Sequence, residues 1–406
     1  MFQLKNCSFV NRQDVYYMSI IQLEYVKNFI CDGNECNAKC CKKWNITIDE
    51  NTYKKYQRIQ NQSVRDKILS SMKKRNDNNG YIIILNENGE CPLICKDKLC
   101  FIQRNIGPAA LSMTCQTYPR KLLMLDECQL RSLSMTCPIA ADMALFSDDG
   151  LAIEVHHLGN EHNNGWKILL QNEQKKKRIN ATLAETTIIA SMSILQNTAF
   201  SREERFILLS LFIDKADDLK TDENAAEQIL NLAITYQSEG FIAEARTILD
   251  SFQFLADDNQ KFMHELLSMM AANNQIGALN NLLKQAEDYD GDYNKWQSAL
   301  ENEYGRAIDN YWLHEFFHLG YPFHLKGNFL HNYFVYLLSY KVWEIVLYGY
   351  LHVLGRMMTK EEFINLVGTY SKIMDHRQKF LPVIEKKAAE CEAEPIKAMQ
   401  MLLRLR

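Results

Sequence analysis

Apolar residues recur at helical spacing through most of the C-terminal two thirds of the chain. The stretch Asn224–Phe252 places apolar positions three or four residues apart and contains few runs of β-branched residues. Two further apolar stretches begin with a capping box, in which a hydroxyl residue precedes a glutamate by three positions: Ser201 with Glu204, and Thr359 with Glu362. No fixed period relates the helices, so the pattern predicts a helical region without structural repeats.

The most apolar part of the chain lies at residues 327–355, with the sequence GNFLHNYFVYLLSYKVWEIVLYGYLHVLG. Lys341 and Glu344 interrupt it before it reaches the roughly 18 uncharged residues that a membrane span needs. We therefore expect buried helices here and no membrane span. Many of the 19 tyrosines and 19 phenylalanines cluster between Tyr304 and Tyr350. This clustering indicates an aromatic core, with an aromatic wall that guides a bound side chain as the alternative.

The pattern changes in the first third of the chain. The sequence WNITID alternates Trp44, Ile46 and Ile48 as a strand does, and Asp49 is a candidate cap for a helix that begins near Asn51. The predicted fold class is mainly α, with short strands in a cysteine-rich, metal-cluster-stabilised N-terminal region and a helical C-terminal region. The predicted divisions are an N-terminal extension at 1–17, a cysteine-rich metal or iron–sulfur domain at 18–150, a helical domain at 151–300 and an aromatic-rich helical domain at 301–406.

The charge balance excludes nucleic-acid binding as a function class. The formal net charge is −4 and no strongly basic block occurs, so the electrostatic footprint of a nucleic-acid partner is missing. The short run KKKR at Lys175–Arg178 is interpreted as a solvated helix face. The first residues lack an apolar run behind a basic start, so we expect no cleaved signal peptide and a cytoplasmic location.

The cysteines are concentrated in one region that has no histidine. Ten of the 12 cysteines lie between Cys31 and Cys137, and the first histidine is His156. A mixed cysteine and histidine site within this region is therefore excluded, which leaves zinc held by thiolates alone or an iron–sulfur cluster. Disulfides are the competing use of the thiols, but a reducing cytosol disfavours them.

The spacing of the thiols excludes two familiar metal motifs. The C-x3-C-x2-C spacing of radical S-adenosylmethionine enzymes is absent, because a lysine, Lys43 or Lys98, stands at the third position of both candidate stretches. A zinc ribbon needs two C-x2-C knuckles, and none occurs. The adjacent Cys40 and Cys41 cannot easily place both sulfurs on one metal.

Four motifs, found in order, resemble those of the flagellin lysine-N-methylase family. They are CxxxxCxxxCCxxWxIxID at Cys31–Asp49, CPxxxxxxLC at Cys91–Cys100, LSxTCxxYPR at Leu111–Arg120 and SLxxxCPxAA at Ser132–Ala141. The resemblance is specific over residues 22–145 and weaker beyond them. Near the C-terminus, DNYWLHEFFHLGYPF at Asp309–Phe323 and DHRQKFL, which contains His376, are similar to late segments of that family.

The resemblance implies a thiolate-bound centre, a [4Fe-4S] cluster with zinc as the alternative. The candidate ligands are Cys31, Cys36, Cys40, Cys41, Cys91, Cys100, Cys115 and Cys137. Cys95 and Cys128 depart from the family pattern and are left out, and Gly320 is a further departure. One cluster uses four thiolates, so about half of the eight would orient the site rather than bind it.

The resemblance also implies methyl transfer from S-adenosylmethionine to lysine ε-amines of flagellin. Tyr118 is the candidate to orient or deprotonate the lysine, and Arg120 the candidate to hold the carboxylate of the donor. A structural alternative is a fixed turn, in which Pro119 sets the backbone and Arg120 satisfies loop carbonyls. The metal is either an aid to donor binding or purely structural. The alternative function is a non-enzymatic, zinc-stabilised module that binds a partner protein through its helices.

Overall fold

The computed structural model shows a chain of many helices and a few short strands. It describes residues 19–31, 39–42, 46–77, 79–125, 128–147, 151–157, 181–272, 289–325, 327–375 and 381–404. These ranges contain fifteen α-helices and seven strands, which confirms the prediction of a mainly α fold with short strands. Cys36, Trp44, His376 and the run Lys175–Arg178 lie outside the described residues. The domain boundaries stay a prediction.

The cysteine-rich segment is built from short elements around a small apolar core. Its strands are β2 Thr47–Ile48, β3 Met72–Lys74 and β4 Tyr81–Ile83, which form an antiparallel sheet in the order β2–β4–β3. Its helices are α1 Glu50–Gln57, α2 Gln62–Ser70, α3 Phe101–Asn105 and α4 Met113–Thr117. Tyr56 and Ile68 are fully enclosed in this core, which also includes Cys91.

Asp49 caps α1 as the sequence predicts. Its carboxylate accepts hydrogen bonds from the amide of Thr52 at 2.8 Å and from the hydroxyl of Thr52 at 2.6 Å. Ile46 and Ile48 are both 2% exposed, which agrees with the predicted alternation. The cap therefore fixes where the chain turns from β2 into α1.

A second sheet of four strands joins the N-terminal part to the C-terminal helices. The strands are β1 Ser19–Leu23, β5 Arg120–Leu125, β6 Cys128–Leu133 and β7 Ile153–His157, in the order β5–β6–β1–β7. Strands β1 and β6 are parallel, and the other two pairings are antiparallel. Every residue of β6 is buried, because β6 lies inside the sheet and helices pack against it.

The predicted helical domain at 151–300 begins with strand β7, and the described part of the chain from residue 181 onward has helices as its regular elements. Its helices, after α5 Pro138–Leu145, are α6 Ala181–Leu195, α7 Arg202–Leu219, α8 Ala225–Tyr236, α9 Glu239–Asp250, α10 Ala256–Ala272, α11 Tyr289–Leu319, α12 Phe329–Leu354, α13 Lys360–Asp375, α14 Leu381–Ala393 and α15 Pro395–Leu402. Both predicted capping boxes form, since the hydroxyl of Ser201 accepts from the amide of Glu204 and that of Thr359 from the amide of Glu362.

The most apolar stretch of sequence forms α12, at the centre of the helical region. Nearly all of its residues are buried, and it packs against α7, α11 and α14. Trp343 of α12 and Trp312 of α11 are at most 2% exposed and contact tyrosine rings edge-on or at a tilt. The predicted buried helices and aromatic core are thus confirmed. None of the helices in the described ranges is long and apolar enough to cross a membrane.

Gly320 permits the close approach of α11 to the β5–β6 hairpin. It follows the last residue of α11 with a φ of +72°, a conformation that residues with a Cβ rarely adopt. A Cβ at this position would lie 2.3 Å from Cδ2 of Leu123, a β5 residue. The departure from the family pattern at Gly320 is therefore explained by the lack of space for a side chain beside Leu123.

We expect Asp49→Ala to lower the free energy of unfolding by about 1 kcal/mol, because α1 loses the acceptor for its first amides. Urea unfolding followed by circular dichroism measures the change. Asp49→Asn is the matched control: its amide oxygen still accepts the bond from Thr52, so stability should fall by no more than a few tenths of a kcal/mol. Equal destabilisation by the two variants would contradict a capping role.

Candidate functional site

Backbone pairing holds the vicinal cysteines beside Cys91. Cys40 and Cys41 end a short 3-10 turn, and the next residue, Lys42, forms an antiparallel bridge with Glu90. The amide of Cys91 donates to the carbonyl of Cys41 at 2.8 Å, and Lys42 and Glu90 also form an ion pair of 2.8 Å. Two segments that are distant in sequence therefore run side by side.

A tight loop returns the chain from Cys91 to Cys100. Ile94 and Cys100 form an isolated antiparallel bridge. Lys98 has a φ of 67°, in the left-handed region, which marks the turn of this loop. Cys100 then occupies the N-cap position of α3. The loop thus places its first and last cysteines close together.

Cys115, on α4, lies near Cys40, Cys91 and Cys100. The hydroxyl of Ser112 caps this helix and accepts from the amide of Cys115 at 3.4 Å. The hydroxyls of Thr114 and Thr47 lie 3.0 Å apart and tie α4 to β2. The helix is therefore fixed to the small sheet that carries the rest of the cysteine-rich segment.

Cys40, Cys91, Cys100 and Cys115 form a group that we call the thiol quartet. Burial raises the pKa of Cys91 to about 11 and that of Cys115 to about 12, and it also raises the pKa of Cys100. In each of the six pairs, the charge of one thiolate raises the pKa of the other. All four sulfurs thus lie within mutual electrostatic reach. Their joint deprotonation requires a compensating cation.

Cys41 adjoins the quartet. Its sulfur lies 3.8 Å from that of Cys40, and this contact lowers the pKa of Cys40 and raises that of Cys41. The charges of Cys91 and Cys115 raise the pKa of Cys41 further. Cys41 is therefore a close neighbour of the group.

The interactions described for the other predicted ligands involve residues outside the quartet. Cys31 is exposed, and its charge acts on Arg120. Cys137 is buried at the N-cap position of α5, and its charge raises the pKa of Tyr118. Cys36 lies outside the described residues. The structure thus gathers Cys40, Cys41, Cys91, Cys100 and Cys115 among the eight candidates.

Cys95 and Cys128, two of the four cysteines outside the predicted ligand set, lie in different environments. Cys95 acts by its charge on Cys100 alone among the quartet, whereas Cys128 is buried in β6, and burial raises its pKa to about 12. Across the described ranges, no group of three or more His, Cys, Asp or Glu side chains is arranged so that it could hold a metal ion. Stabilisation by a metal cluster therefore stays a prediction.

Tyr118 connects the cysteine-rich segment with the larger sheet. It directly follows α4, and its hydroxyl lies 3.0 Å from that of Thr136. Burial raises the pKa of Tyr118 well above its ordinary value, and the charges of Cys137 and Cys40 raise it further. The phenol thus keeps its proton at neutral pH. If Tyr118 deprotonates a substrate, its own proton must therefore pass to another acceptor.

Arg120 begins β5 two residues later, with a half-buried guanidinium. The group lies 5.5 Å from the ring centroid of Phe29. Burial lowers its pKa, and the charge of Cys31 acts in the opposite direction. Within the described residues, no carboxylate pairs with Arg120 and no loop carbonyl accepts a hydrogen bond from it. The described contacts of Arg120 therefore do not include the hydrogen bonds to loop carbonyls that the fixed-turn alternative predicts.

Behind Tyr118 lies a chain of polar side chains that we call the Asp375 network. Its members are Tyr118, Thr136, Ser134, Asp375, His318, Ser132 and Lys121. The hydroxyls of Thr136 and Ser134 are 2.8 Å apart, and the hydroxyl of Ser134 donates to Oδ2 of Asp375 at 2.9 Å. A continuous path of hydroxyl groups thus leads from Tyr118 to a carboxylate.

His318 and Lys121 hold the other oxygen of this carboxylate. Nε2 of His318 lies 3.2 Å from Oδ1 of Asp375, and Nζ of Lys121 lies 3.3 Å from it. Burial lowers the pKa of His318 to about 4, so the imidazole is neutral at pH 7. Burial alone would raise the pKa of Asp375, but His318 and Lys121 hold it well below its ordinary value.

The sequence alone did not indicate a role for His318 or Asp375. His318 lies in the late segment Asp309–Phe323, and Asp375 begins the late segment DHRQKFL, directly before His376. The sequence signal for these two residues was therefore the resemblance of the late segments. However, the partners Ser132 and Ser134 lie 186 and 241 residues away along the chain, a separation that sequence spacing cannot bridge.

This chain is similar to one protein family and to several curated proteins. Residues 189–402, more than half of the chain, match the family described as the FliB lysine N-methylase C-terminal domain. The flagellar biosynthetic protein FliU of Salmonella muenchen is 34% identical over 140 residues, which are 34% of this chain and 82% of FliU. The lysine-N-methylases of Salmonella choleraesuis and Salmonella typhimurium are 34% identical over 140 residues, and the match spans 35% of each enzyme. No solved structure matches this chain.

We expect iodoacetamide to modify Cys128 at least about a hundredfold more slowly than Cys31, because only the thiolate reacts and Cys128 is both buried and of raised pKa. Mass spectrometry of peptides from the folded protein, sampled over time, measures the two rates. Unfolding the protein in urea should bring the rates together, which serves as the control. Similar rates in the folded protein would contradict the burial of Cys128.

Proposed function

Because this chain belongs to the FliB lysine N-methylase family, we propose that it methylates lysine ε-amines of flagellin in the cytoplasm, with S-adenosylmethionine as donor and an iron–sulfur cluster bound by the thiol quartet. Family membership supports lysine N-methylation. The similarity to a flagellar biosynthetic protein supports flagellin as the substrate. The observation that supports the site assignment is that Cys115 of α4 interacts with three further thiols, while Tyr118 directly follows this helix and Arg120 begins the next strand.

The quartet offers the donor atoms that a thiolate-bound cluster takes, although its side chains are not arranged to hold a metal ion within the described residues. A [4Fe-4S] cluster takes four cysteine thiolates, and the quartet supplies four sulfurs from separate segments of chain. The mutual repulsion of four thiolates calls for the positive charge that iron would provide. When bound, the cluster would cross-link the segments around Cys40, Cys91–Cys100 and Cys115. Since four thiolates satisfy all four irons, we assign donor binding to protein side chains instead.

The transfer is a nucleophilic substitution at the methyl carbon of the donor. An ε-ammonium group, with a pKa of about 10.4, has no free electron pair and must first lose a proton. The neutral nitrogen then attacks the methyl carbon, the bond from sulfur to methyl breaks, and its electron pair stays on sulfur as a thioether. The protein must therefore accept one proton and hold the nitrogen in line with the methyl group.

We assign these tasks to Tyr118 and Arg120. The guanidinium of Arg120 is half-buried without a carboxylate partner among the described residues, so it can bind the donor carboxylate through two parallel hydrogen bonds. Tyr118, which precedes Pro119 in the same segment, presents a protonated phenol that can hold the substrate nitrogen. Exclusion of water around both groups strengthens these contacts.

Cys115→Ser should remove the cluster and abolish methyl transfer. Protein purified without oxygen should contain about four iron and four acid-labile sulfide atoms per chain, with a broad visible absorbance. The matched control is Cys128→Ser, which changes a thiol whose pKa burial also raises to about 12 but which lies in β6, outside the quartet. It should keep full iron and full activity. Iron and sulfide analysis, with labelled methyl transfer to flagellin, measures both properties.

Two results would contradict this assignment in different ways. Full iron and sulfide in Cys115→Ser would show that the quartet is not the ligand set. Zinc without sulfide in the unaltered protein would exclude the cluster and favour the alternative function, a zinc-stabilised module that binds a partner protein.

Arg120→Gln should raise the KM for S-adenosylmethionine about 10- to 100-fold, because a buried bidentate contact to the carboxylate is lost, while the KM for flagellin stays the same. Steady-state kinetics with each substrate varied in turn measures the two constants. Arg104→Gln, which removes a cation from the exposed side of α3, is the control and should leave both constants unchanged. An unchanged KM for the donor in Arg120→Gln would refute the clamp.

A further inference from the structure

We propose that the hydroxyl path of the Asp375 network is a proton relay, which carries the proton released by the substrate lysine from Tyr118 through Thr136 and Ser134 to Asp375. This inference rests on the proposed function, because only a reaction that releases a proton beside Tyr118 needs such a path. It extends the site from the cysteine-rich segment to α13, near the other end of the chain.

The oxygens of the path are spaced as a relay requires. Successive distances from Tyr118 to Thr136, Ser134 and Asp375 are 3.0, 2.8 and 2.9 Å, all within hydrogen-bonding range. The last bond fixes the direction of all three, because a carboxylate can only accept, so Ser134 donates to it. Each hydroxyl upstream can then donate to the next one.

Exposure varies along the path, and Thr136, like Tyr118, is half-buried. Ser134 is 9% exposed, whereas Tyr118 is half-buried and the side chain of Asp375 is 22% exposed. The path thus begins beside the quartet and ends where water can take the proton. A purely internal network would not need an exposed carboxylate at one end.

His318 acts as a positioning residue for Asp375. Its Nε2 donates to Oδ1 of Asp375, and its Nδ1 accepts from the hydroxyl of Ser132 at 2.7 Å, which fixes the tautomer of the neutral ring. Oδ2 is thereby left for Ser134. Among the described residues, the charged and titratable groups that face Asp375 include Lys121, His318, Tyr118 and Tyr311.

The proton transfer from the ε-ammonium group to water needs no further reactant. The bond from nitrogen to hydrogen in the ε-ammonium breaks, and the oxygen of Tyr118 gains that proton as its own passes to Thr136. Thr136 passes a proton to Ser134, and Ser134 passes one to Asp375, which releases it to water. One proton enters and one leaves, and every hydroxyl is restored. The resulting free amine is the nucleophile that methyl transfer requires.

A hydrolytic site and a purely structural network are the two competing roles for these residues. Ser132, His318 and Asp375 resemble the arrangement of a hydrolytic triad, but Ser132 is 2% exposed and no substrate can reach it. The network also attaches α11 and α13 to the β5–β6 hairpin, and a purely structural role would affect stability and both KM values rather than the rate of proton removal.

The test compares Thr136→Val with Thr136→Ser in the full-length, metal-loaded protein. Thr136→Val removes one hydroxyl from the path and should lower kcat about 10- to 100-fold near pH 7. The loss should shrink as the pH rises toward 10, because more of the lysine then arrives as free amine. Thr136→Ser restores the hydroxyl and should restore kcat. Both KM values and the urea midpoint should change little.

A control variant and a second variant of the path allow the relay to be tested even if Thr136→Val is uninformative. Thr369→Val removes a hydroxyl on α13 that donates only to the carbonyl of Asn365 and should leave kcat unchanged. Asp375→Asn keeps the shape of the terminal group but cannot take a proton, and it should reproduce the loss seen in Thr136→Val. It decides the question if Thr136→Val fails to fold.

The results separate this inference from the proposed function. If the unaltered protein methylates flagellin and both Thr136→Val and Asp375→Asn match its kcat at every pH, the relay is wrong while the function stands. An equal loss in Thr136→Val and Thr136→Ser, or a loss independent of pH, would equally overturn the relay. If the unaltered protein does not methylate flagellin, the function fails and the relay fails with it.

Discussion

The burial of four thiols in one place is the constraint on which the rest of the site depends. Burial removes water from each sulfur and raises the pKa of Cys91 to about 11 and that of Cys115 to about 12. Each thiolate that forms makes the next harder to form, since all six pairs in the quartet interact. A protein that gathers thiols in this way gains little from them as free groups. The arrangement becomes favourable when a cation neutralises them together.

The β5–β6 hairpin transmits that local constraint to the rest of the molecule. Its first strand begins two residues after Tyr118, and its second strand ends at the segment that carries Ser134 and Thr136. Helix α11 packs on the same hairpin, with Gly320 at the point of closest approach. The cysteine-rich segment and the helical region therefore share one rigid element. A change that displaces α4 would displace Tyr118 relative to its hydrogen-bond partners.

The sequence predicted those features whose physics is local. Asp49 as a cap, the two capping boxes and the buried stretch of α12 follow from contacts within a few residues, and all are confirmed. The cysteine candidates were read from spacing, and spacing cannot say which thiols converge. That grouping depends on a bridge between Lys42 and Glu90 and on a loop turn at Lys98. The contact between Ser134 and Asp375 crosses 241 positions, so only the folded chain brings it about.

Charge around Tyr118 explains how a weak base can serve a reaction that begins with an ammonium ion. Arg120 and a sulfonium donor would both present positive charge to the incoming lysine, and nearby positive charge favours the neutral amine. The phenol therefore does not need to be a strong base, and the raised pKa of Tyr118 is no obstacle. What the site needs is a way out for the proton that avoids the two cations. Asp375, whose carboxylate His318 and Lys121 keep ionised, is a weak base, so in the proposed relay it would pass the proton on to water rather than keep it.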